Sequence, residues 1–397
     1  MHLSNHIYQR NGQLFNLTTK VSLPVNSNEE TLKKHHFLQG QEQQAIEYAL
    51  FGPKKPEYLS MKLTPTWRCN LRCKHCFVLE KLSTQQKSIL DVNKVIQFVK
   101  NYHAFFPSIK SIFCCLVGGE ITLETQKCLE LTEELIKYGK DNSLKVALSL
   151  TTNGIKLDLD ILELMNRCQT ISISIDGTQE AHNWQRKAAT KDLVGTDLYE
   201  KTLDNIRRLV KLGLREKICV QGALTDQYCK PELVREFFHK MIRAGVLAHN
   251  IKVGAVSPTQ SQPDVSEHFQ NYISNQISAS PCCKWRVGNE FFIDETNTIS
   301  CDYFDETTST TLGKLDDPIE HILYNHEKVV RNQMPALNDP TCLKCPVIGA
   351  CWGRCCNLAK IHRPSEVCNQ QKLIETVKQE IENYSFSKTK GVCGGNS

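Results

Sequence analysis

Three thiols fall within eight residues in the stretch Trp67-Arg68-Cys69-Asn70-Leu71-Arg72-Cys73-Lys74-His75-Cys76. The spacing C-x3-C-x2-C is too tight for the ligands to come from separate elements, so one loop must wrap a single object with all three sulfurs. A closed structural zinc site takes four ligands, usually as two C-x2-C pairs, whereas three thiolates on an iron-sulfur cube leave one iron open. The spacing therefore points to an iron-sulfur cluster with an open iron, which is a centre for chemistry rather than scaffolding. The alternative at this level is a zinc knuckle that takes His75 as its fourth ligand.

Such a loop needs a rigid edge to stand on. From Tyr58 onward the pattern alternates strands and helices, the signature of a parallel α/β unit. Strands are expected at 59–63, 111–117, 145–151, 170–175, 218–223 and 251–255, and amphipathic helices at 90–105, 125–140, 159–166, 198–212 and 231–245. In such sheets ligands gather beyond the C-terminal ends of the strands, which is where the cysteine loop falls after the first strand. Three further stretches share that edge. Val117-Gly118-Gly119-Glu120 follows the second strand, and its glycines would let backbone approach a ligand closely. Thr151-Thr152-Asn153-Gly154 follows the third, and Ser172-Ile173-Ser174-Ile175-Asp176-Gly177 closes the fourth, with His182 and Arg186 beyond it.

In this order the motifs resemble those of the radical S-adenosylmethionine (SAM) enzymes. The resemblance implies a partial (β/α)6 TIM-like barrel in which Cys69, Cys73 and Cys76 hold a 4Fe-4S cluster. In that family SAM chelates the open iron, and reductive cleavage gives a 5'-deoxyadenosyl radical that abstracts a substrate hydrogen. By the same resemblance Gly118, Gly119 and Glu120 border the SAM amino group, while Ser174 and Arg186 contact SAM. A guanidinium suits a carboxylate through paired hydrogen bonds. Two positions depart from the family pattern: Ile121 stands where a proline is usual, and His75 where an aromatic residue lies against the adenine. An imidazole can still stack and hydrogen-bond there.

The C-terminal cysteines carry a second resemblance. Cys282-Cys283 and Cys301 precede Cys342-x2-Cys345-x5-Cys351-x3-Cys355, with Cys368 beyond. This resembles the SPASM extension of radical SAM enzymes that act on peptides and proteins, which binds two auxiliary iron-sulfur clusters, expected as 4Fe-4S. Carried over, one cluster takes Cys342, Cys345, Cys351 and Cys368, and the other takes Cys283, Cys301 and Cys355. For the latter, a fourth ligand from Cys282, an open iron, and a register with Cys356 in place of Cys355 all stay open. A zinc ribbon from Cys342 to Cys355 is the alternative for that stretch alone. The glycine usual five residues before Cys301 is Thr296. Asp302 follows Cys301 directly, as in sulfatase maturases, where the aspartate takes a substrate proton; the alternative is a turn cap.

These readings divide the 397 residues into an N-terminal hairpin and helix element at 1–57, the radical SAM core at 58–260, the SPASM domain at 261–385 and a flexible tail at 386–397 containing Cys393. In the first, Asn11-Gly12 marks a turn between short strands and one helix is expected over about 29–50, ending at Gly52-Pro53. This element could dock a leader peptide or cap the barrel. Nineteen cysteines is an odd number and does not suggest a small secreted disulfide scaffold. With no signal-peptide pattern and no apolar run of membrane-spanning length, the expectation is a cytoplasmic protein with no membrane partner. The net charge of +5 is only mildly basic and gives no stripe for nucleic acid. The resemblance implies a maturase of ribosomally made precursor peptides that forms carbon-carbon or thioether cross-links. The alternatives are an anaerobic sulfatase-type maturase making formylglycine, a backbone excision or rearrangement, and a non-enzymatic zinc or cluster-binding module. Implied partners are the precursor peptide, an electron donor such as flavodoxin or ferredoxin, and a separate leader-recognition protein.

Overall fold

The computed structural model describes residues 2–19, 21–53, 55–76, 78–85, 88–228, 230–255, 288–301 and 310–348, with helical positions 371, 374, 375, 378 and 379. Its described residues form two compact units, one built from those up to Pro53 and from Glu327 onward, the other from 55–255 and 288–326.

In the first unit β1 (Ile7–Arg10) and β2 (Gln13–Asn16) form a hairpin that β3 (Ser22–Pro24) extends. Its two-residue turn places Asn11 at φ 47° and Gly12 at φ 73°, the conformation this dipeptide favours. The single helix expected over about 29–50 is instead two, α1 (Glu29–Lys34) and α2 (Glu42–Phe51). The break falls where the chain reverses at His36. His36 adopts φ 63°, and the amides of His36 and Phe37 bond back to Lys33 and Leu32 in a left-handed helix stop. That reversal buries Phe37 against Leu32 and Leu14 beneath the hairpin. The hairpin also packs on the later cysteine segment: Leu17 and Tyr8 share a cluster with Val347 and Cys345, and Asn5 Nδ2 donates to the Lys344 carbonyl at 3.3 Å.

In the second unit β4 (Tyr58–Leu63), β5 (Ser111–Leu116), β6 (Lys145–Thr152), β7 (Thr170–Ser174), β8 (Ile218–Leu224) and β9 (Ile251–Ala255) lie parallel in sequence order. Between them run α3 (Val92–Phe105), α4 (Thr125–Asp141), α5 (Leu159–Arg167), α6 (Gln179–Gln185), α7 (Leu198–Lys211) and α8 (Pro231–Arg243). Of these, α6 was not foreseen. Helices cover one face of the sheet: Gly139 of α4 lies against Val146, and Phe237 of α8 against Gly222. Leu59, Met61 and Leu63 are buried on that face, while Lys62, Gln221 and Lys252 on the other are exposed, as sequential parallel strands with one-sided helices require.

Past residue 288 the same sheet continues. β10 (Glu290–Ile293) pairs parallel to β4, and β11 (Thr298–Ser300) and β12 (Thr311–Lys314) follow antiparallel. Three strands from the segment expected to begin the C-terminal domain thus pair onto the core sheet. The turn between β10 and β11 uses Asn297, at φ 61°, in the left-handed position rather than a glycine at 296. Among the described residues no helix is long and apolar enough to cross a membrane.

Candidate active site

The cysteine loop leaves the end of β4 and is tied to the ends of several other strands. From β5, the amides of Gly119 and Glu120 donate to the carbonyls of Thr66 and Arg68 at 3.1 and 2.8 Å. A Cβ on Gly118, which sits at φ 139°, would come 2.6 Å from Thr64 Cγ2, and one on Gly119 would lie 2.7 Å from the Trp67 carbonyl oxygen and collide with that of Arg68. What these glycines admit in this structure is the backbone of the cysteine loop. From β6, Asn153 Nδ2 donates to Asn70 Oδ1 at 2.8 Å. From the segment after β7, the carbonyls of Gln185 and Lys187 accept from Lys74 and Arg72 at 2.8 and 2.7 Å. From the β10–β11 turn, Glu295 accepts from the Trp67 amide at 2.6 Å and from Ser88 Oγ at 2.9 Å.

Glu120 is only 1% exposed. Its Oε1 accepts from Thr122 Oγ1 and Thr152 Oγ1, both at 2.7 Å, and its Oε2 from the Asn153 amide at 2.7 Å. This carboxylate locks the loop after β5 to the loop after β6. In turn α7 holds that second loop, with Thr202 Oγ1 on the Asn153 carbonyl and Asn205 Nδ2 on the Gly154 carbonyl.

Beyond β7 lies a buried charged group. Asp176 accepts from Arg186 Nε at 2.7 Å and Nη2 at 2.9 Å, and from the Ala223 amide at 2.9 Å. Burial alone would raise the Asp176 carboxyl, but the Arg186 guanidinium holds it well below the usual range. The paired edge of Arg186, expected to face a ligand carboxylate, is thus engaged by Asp176, and its Nη1 stands 3.8 Å from Cys73 Sγ. The ring of His182 accepts the Asp176 amide at Nδ1, and burial followed by Arg186 pulls its pKa down to about 3. His75 places Nε2 3.7 Å from Asp176 Oδ2, while its buried Nδ1 has no hydrogen-bond partner among the described residues. Burial lowers the His75 pKa against the opposing Asp176 charge, so the ring is neutral near pH 7. Ser174 ends β7, half-buried, on the face away from the helices.

Burial pushes the Cys69 thiol up to about 12, with Glu120 adding to the shift, and the Cys73 thiol up to about 11 against the opposing Arg186 charge. Cys76 is raised by burial as well. The protein alone therefore keeps these thiols protonated at neutral pH, and iron binding must displace the protons. The donor set of three thiols with a guanidinium edge and an unpartnered imidazole nitrogen beside it fits an iron-sulfur cluster and a polar ligand. Among the described residues no three Cys, His, Asp or Glu side chains close around a single ion. A cavity of about 380 Å³ adjoins Cys69 and Asn70, bounded by Leu123, Ile155, Lys156 and Lys201.

Of the auxiliary ligands, Cys301 follows β11 in the second unit, its amide donating to the Thr310 carbonyl at 3.0 Å. Cys342 and Cys345 lie in the first unit, joined by a backbone hydrogen bond of 3.0 Å. Cys283, Cys351, Cys355, Cys368 and Asp302, with Cys282, Cys356 and Cys393, lie outside the described residues. Asp176 and Glu295 were not foreseen as site residues. Asp176 stood inside a motif already singled out, whereas nothing near Glu295 marks it as the partner of a loop 228 residues earlier.

Residues 63–225 match the model of the Radical SAM superfamily. The chain is 29% identical over 173 residues to a GTP 3',8-cyclase of Aliarcobacter butzleri, covering 43% of this chain and 48% of the relative. It is 26% identical over 161 residues to a cysteine-type anaerobic sulfatase-maturating enzyme of Clostridium perfringens, covering 38% and 39%. The chain thus spans about half the length, or less, of these curated relatives. Among solved structures, anSMEcpe with bound AdoMet and Cp18Cys peptide matches with a TM-score of 0.59 at 15% identity, over 83% of this chain and 99% of that one. Streptococcus suis SuiB bound to precursor peptide SuiA matches with a TM-score of 0.56 at 13% identity, over 93% and 99%.

Proposed function

We propose that this chain, a radical SAM protein by the domain spanning residues 63–225, is a SPASM-type peptide maturase that cross-links a ribosomally made precursor peptide through a carbon-carbon or thioether bond. When bound, the 4Fe-4S cluster and SAM supply one-electron hydrogen abstraction. The protein's own residues do the positioning. Cys69, Cys73 and Cys76 hold the cluster on a loop anchored to the ends of β5 and β6, to the segment after β7 and to the β10–β11 turn. Gly118 and Gly119 keep that loop against the sheet, and Glu120 fixes the neighbouring loop that borders SAM. Ser174, His75 and the Nη1 edge of Arg186 are the polar groups offered to SAM. Cys342, Cys345, Cys351 and Cys368 would hold one auxiliary cluster, and Cys283, Cys301 and Cys355 the other. Asp302 would accept a substrate proton as the auxiliary cluster takes an electron, and a flavodoxin or ferredoxin would supply reducing equivalents.

The observation that carries this reading is that the likeness in fold runs well past the radical SAM domain, over 83% and 93% of the chain, to two proteins whose structures hold peptides. A second reading, oxidation of a Cys or Ser to formylglycine, draws on the 26% identity to a sulfatase-maturating enzyme. One experiment separates them. The anaerobically reconstituted protein is given reductant, SAM and a short precursor encoded beside its gene, and the peptide is mapped by mass spectrometry. A cross-link appears as loss of two hydrogens with no aldehyde, and formylglycine is trapped by a hydrazide. Release of 5'-deoxyadenosine with every such peptide unchanged, and a neighbouring sulfatase modified instead, would contradict the cross-linking proposal.

A further inference from the structure

The face of the sheet turned away from the helices carries an unexplained cation. Lys62 on β4, Cys115 on β5 and Ser149 on β6 are register partners, so the three side chains stand in one row on that face, across strands about 4.8 Å apart. Lys62 is exposed in mid-strand, and among the described residues no carboxylate lies within ion-pair distance of it. The row is close to the proposed chemistry. Val117, one residue past the end of β5 and so roughly 7 Å from Cys115 along the same face, packs against the cluster of Trp67, Val78 and Phe292, as Cys76 does. Below the row, Phe113 is 44% exposed on the same face, edge-on to Tyr58.

We propose that the Lys62–Cys115–Ser149 row is a subsite for a carboxylate of the substrate, an Asp or Glu side chain close to the residue being modified. The inference rests on the peptide reading above and deepens it. Ammonium, thiol and hydroxyl are all donors, and one cation beside two neutral donors matches the single charge and two oxygens of a carboxylate. A phosphate would bring a second charge, for which the row has no second cation. Phe113 offers an apolar wall to the methylene stem of such a side chain. The Cys115 thiol already senses this setting: burial raises its pKa, while the Ser149 hydrogen bond and the Lys62 charge oppose the rise.

The test uses Cys115 as a reporter in the anaerobic holoenzyme. Its alkylation by anionic iodoacetate is compared with that by neutral iodoacetamide, site by site, by mass spectrometry. Relative to an exposed peptide thiol, Cys115 should favour iodoacetate about tenfold, and Lys62→Met should abolish the preference while Lys252→Met, on a distant strand of the same face, leaves it. N-acetylglutamate amide should slow the iodoacetamide reaction at Cys115 more than N-acetylglutamine amide does. A preference untouched by Lys62→Met, equal protection by the two amides with none from succinate, or a Cys115 that reacts with neither reagent would overturn the subsite. If the Lys62-dependent preference is present and succinate protects but N-acetylglutamate amide does not, the carboxylate subsite stands and the peptide reading fails.

Discussion

Replacing Asp176 with asparagine removes one charge from a pair whose partner cannot leave. Asp176 is fully buried and Arg186 is 8% exposed, and the two share hydrogen bonds of 2.7 and 2.9 Å. In Asp176→Asn the amide nitrogen would meet either Arg186 Nε or Nη2, donor against donor, and the guanidinium would keep a full charge in a low-dielectric pocket beside His75. Breaking a buried pair by deleting one partner costs about 3–5 kcal/mol, because the remaining charge is uncompensated. That is a large part of the roughly 5–15 kcal/mol by which domains are stable. Urea unfolding under anaerobic conditions, followed by fluorescence and circular dichroism, reads the loss as a lower midpoint at unchanged slope. The neutral double variant Asp176→Asn/Arg186→Met should recover most of it, since no orphaned charge is left. A single variant within about 1 kcal/mol of wild type, or a double variant no better than the single, would refute the reasoning.

Other perturbations reach the loop from different sides. Gly119→Ala drives a Cβ into the Arg68 carbonyl and should displace the cysteine loop, so reconstituted protein should lose roughly a third of its iron while keeping its overall circular dichroism; full iron content would show that the loop can yield. His182 is held at a pKa of about 3 against an ordinary 6.5, so its contribution to stability is complete above about pH 6.5 and is lost as the pH falls toward 3. Wild type should therefore lose about 2 kcal/mol from this group between pH 7 and 5, a slope that His182→Asn flattens; equal slopes would count against it. Asp302→Asn should keep iron and SAM cleavage yet lose most product, with hydrogen returned to the substrate, whereas wild-type yield would leave Asp302 a structural residue.

The parallel core was readable because its signals are local. Leu59, Met61 and Leu63 alternate with polar neighbours, Asn11-Gly12 announces its own turn, and the strands at 111–116, 145–152, 170–174, 218–224 and 251–255 lie within a residue of their expected ends. The break at His36 was not readable, since nothing in Lys33-Lys34-His35-His36 forbids a helix and only the burial of Phe37 against Leu14 selects the stop. Nor were β10–β12, whose three or four residues are too few to show a period and which gain their place from pairing, β10 with β4 and the other two in turn beyond it. In the site, the cysteines and glycines were recognisable by type and spacing. Their supports, Glu295 on Trp67 and Asp176 on Arg186, depend on contacts that only the folded sheet brings together. Arg186 shows the limit most clearly, because its position was foreseen and its partner was not.

The central claim is that Cys69, Cys73 and Cys76 together hold the one cluster at which SAM is cleaved. Its most direct test replaces all three with alanine and measures iron, acid-labile sulfide and 5'-deoxyadenosine in the same anaerobic preparation. The triple variant should keep its auxiliary iron and sulfide and make no 5'-deoxyadenosine under reducing conditions. Continued release of 5'-deoxyadenosine by the triple variant would contradict it.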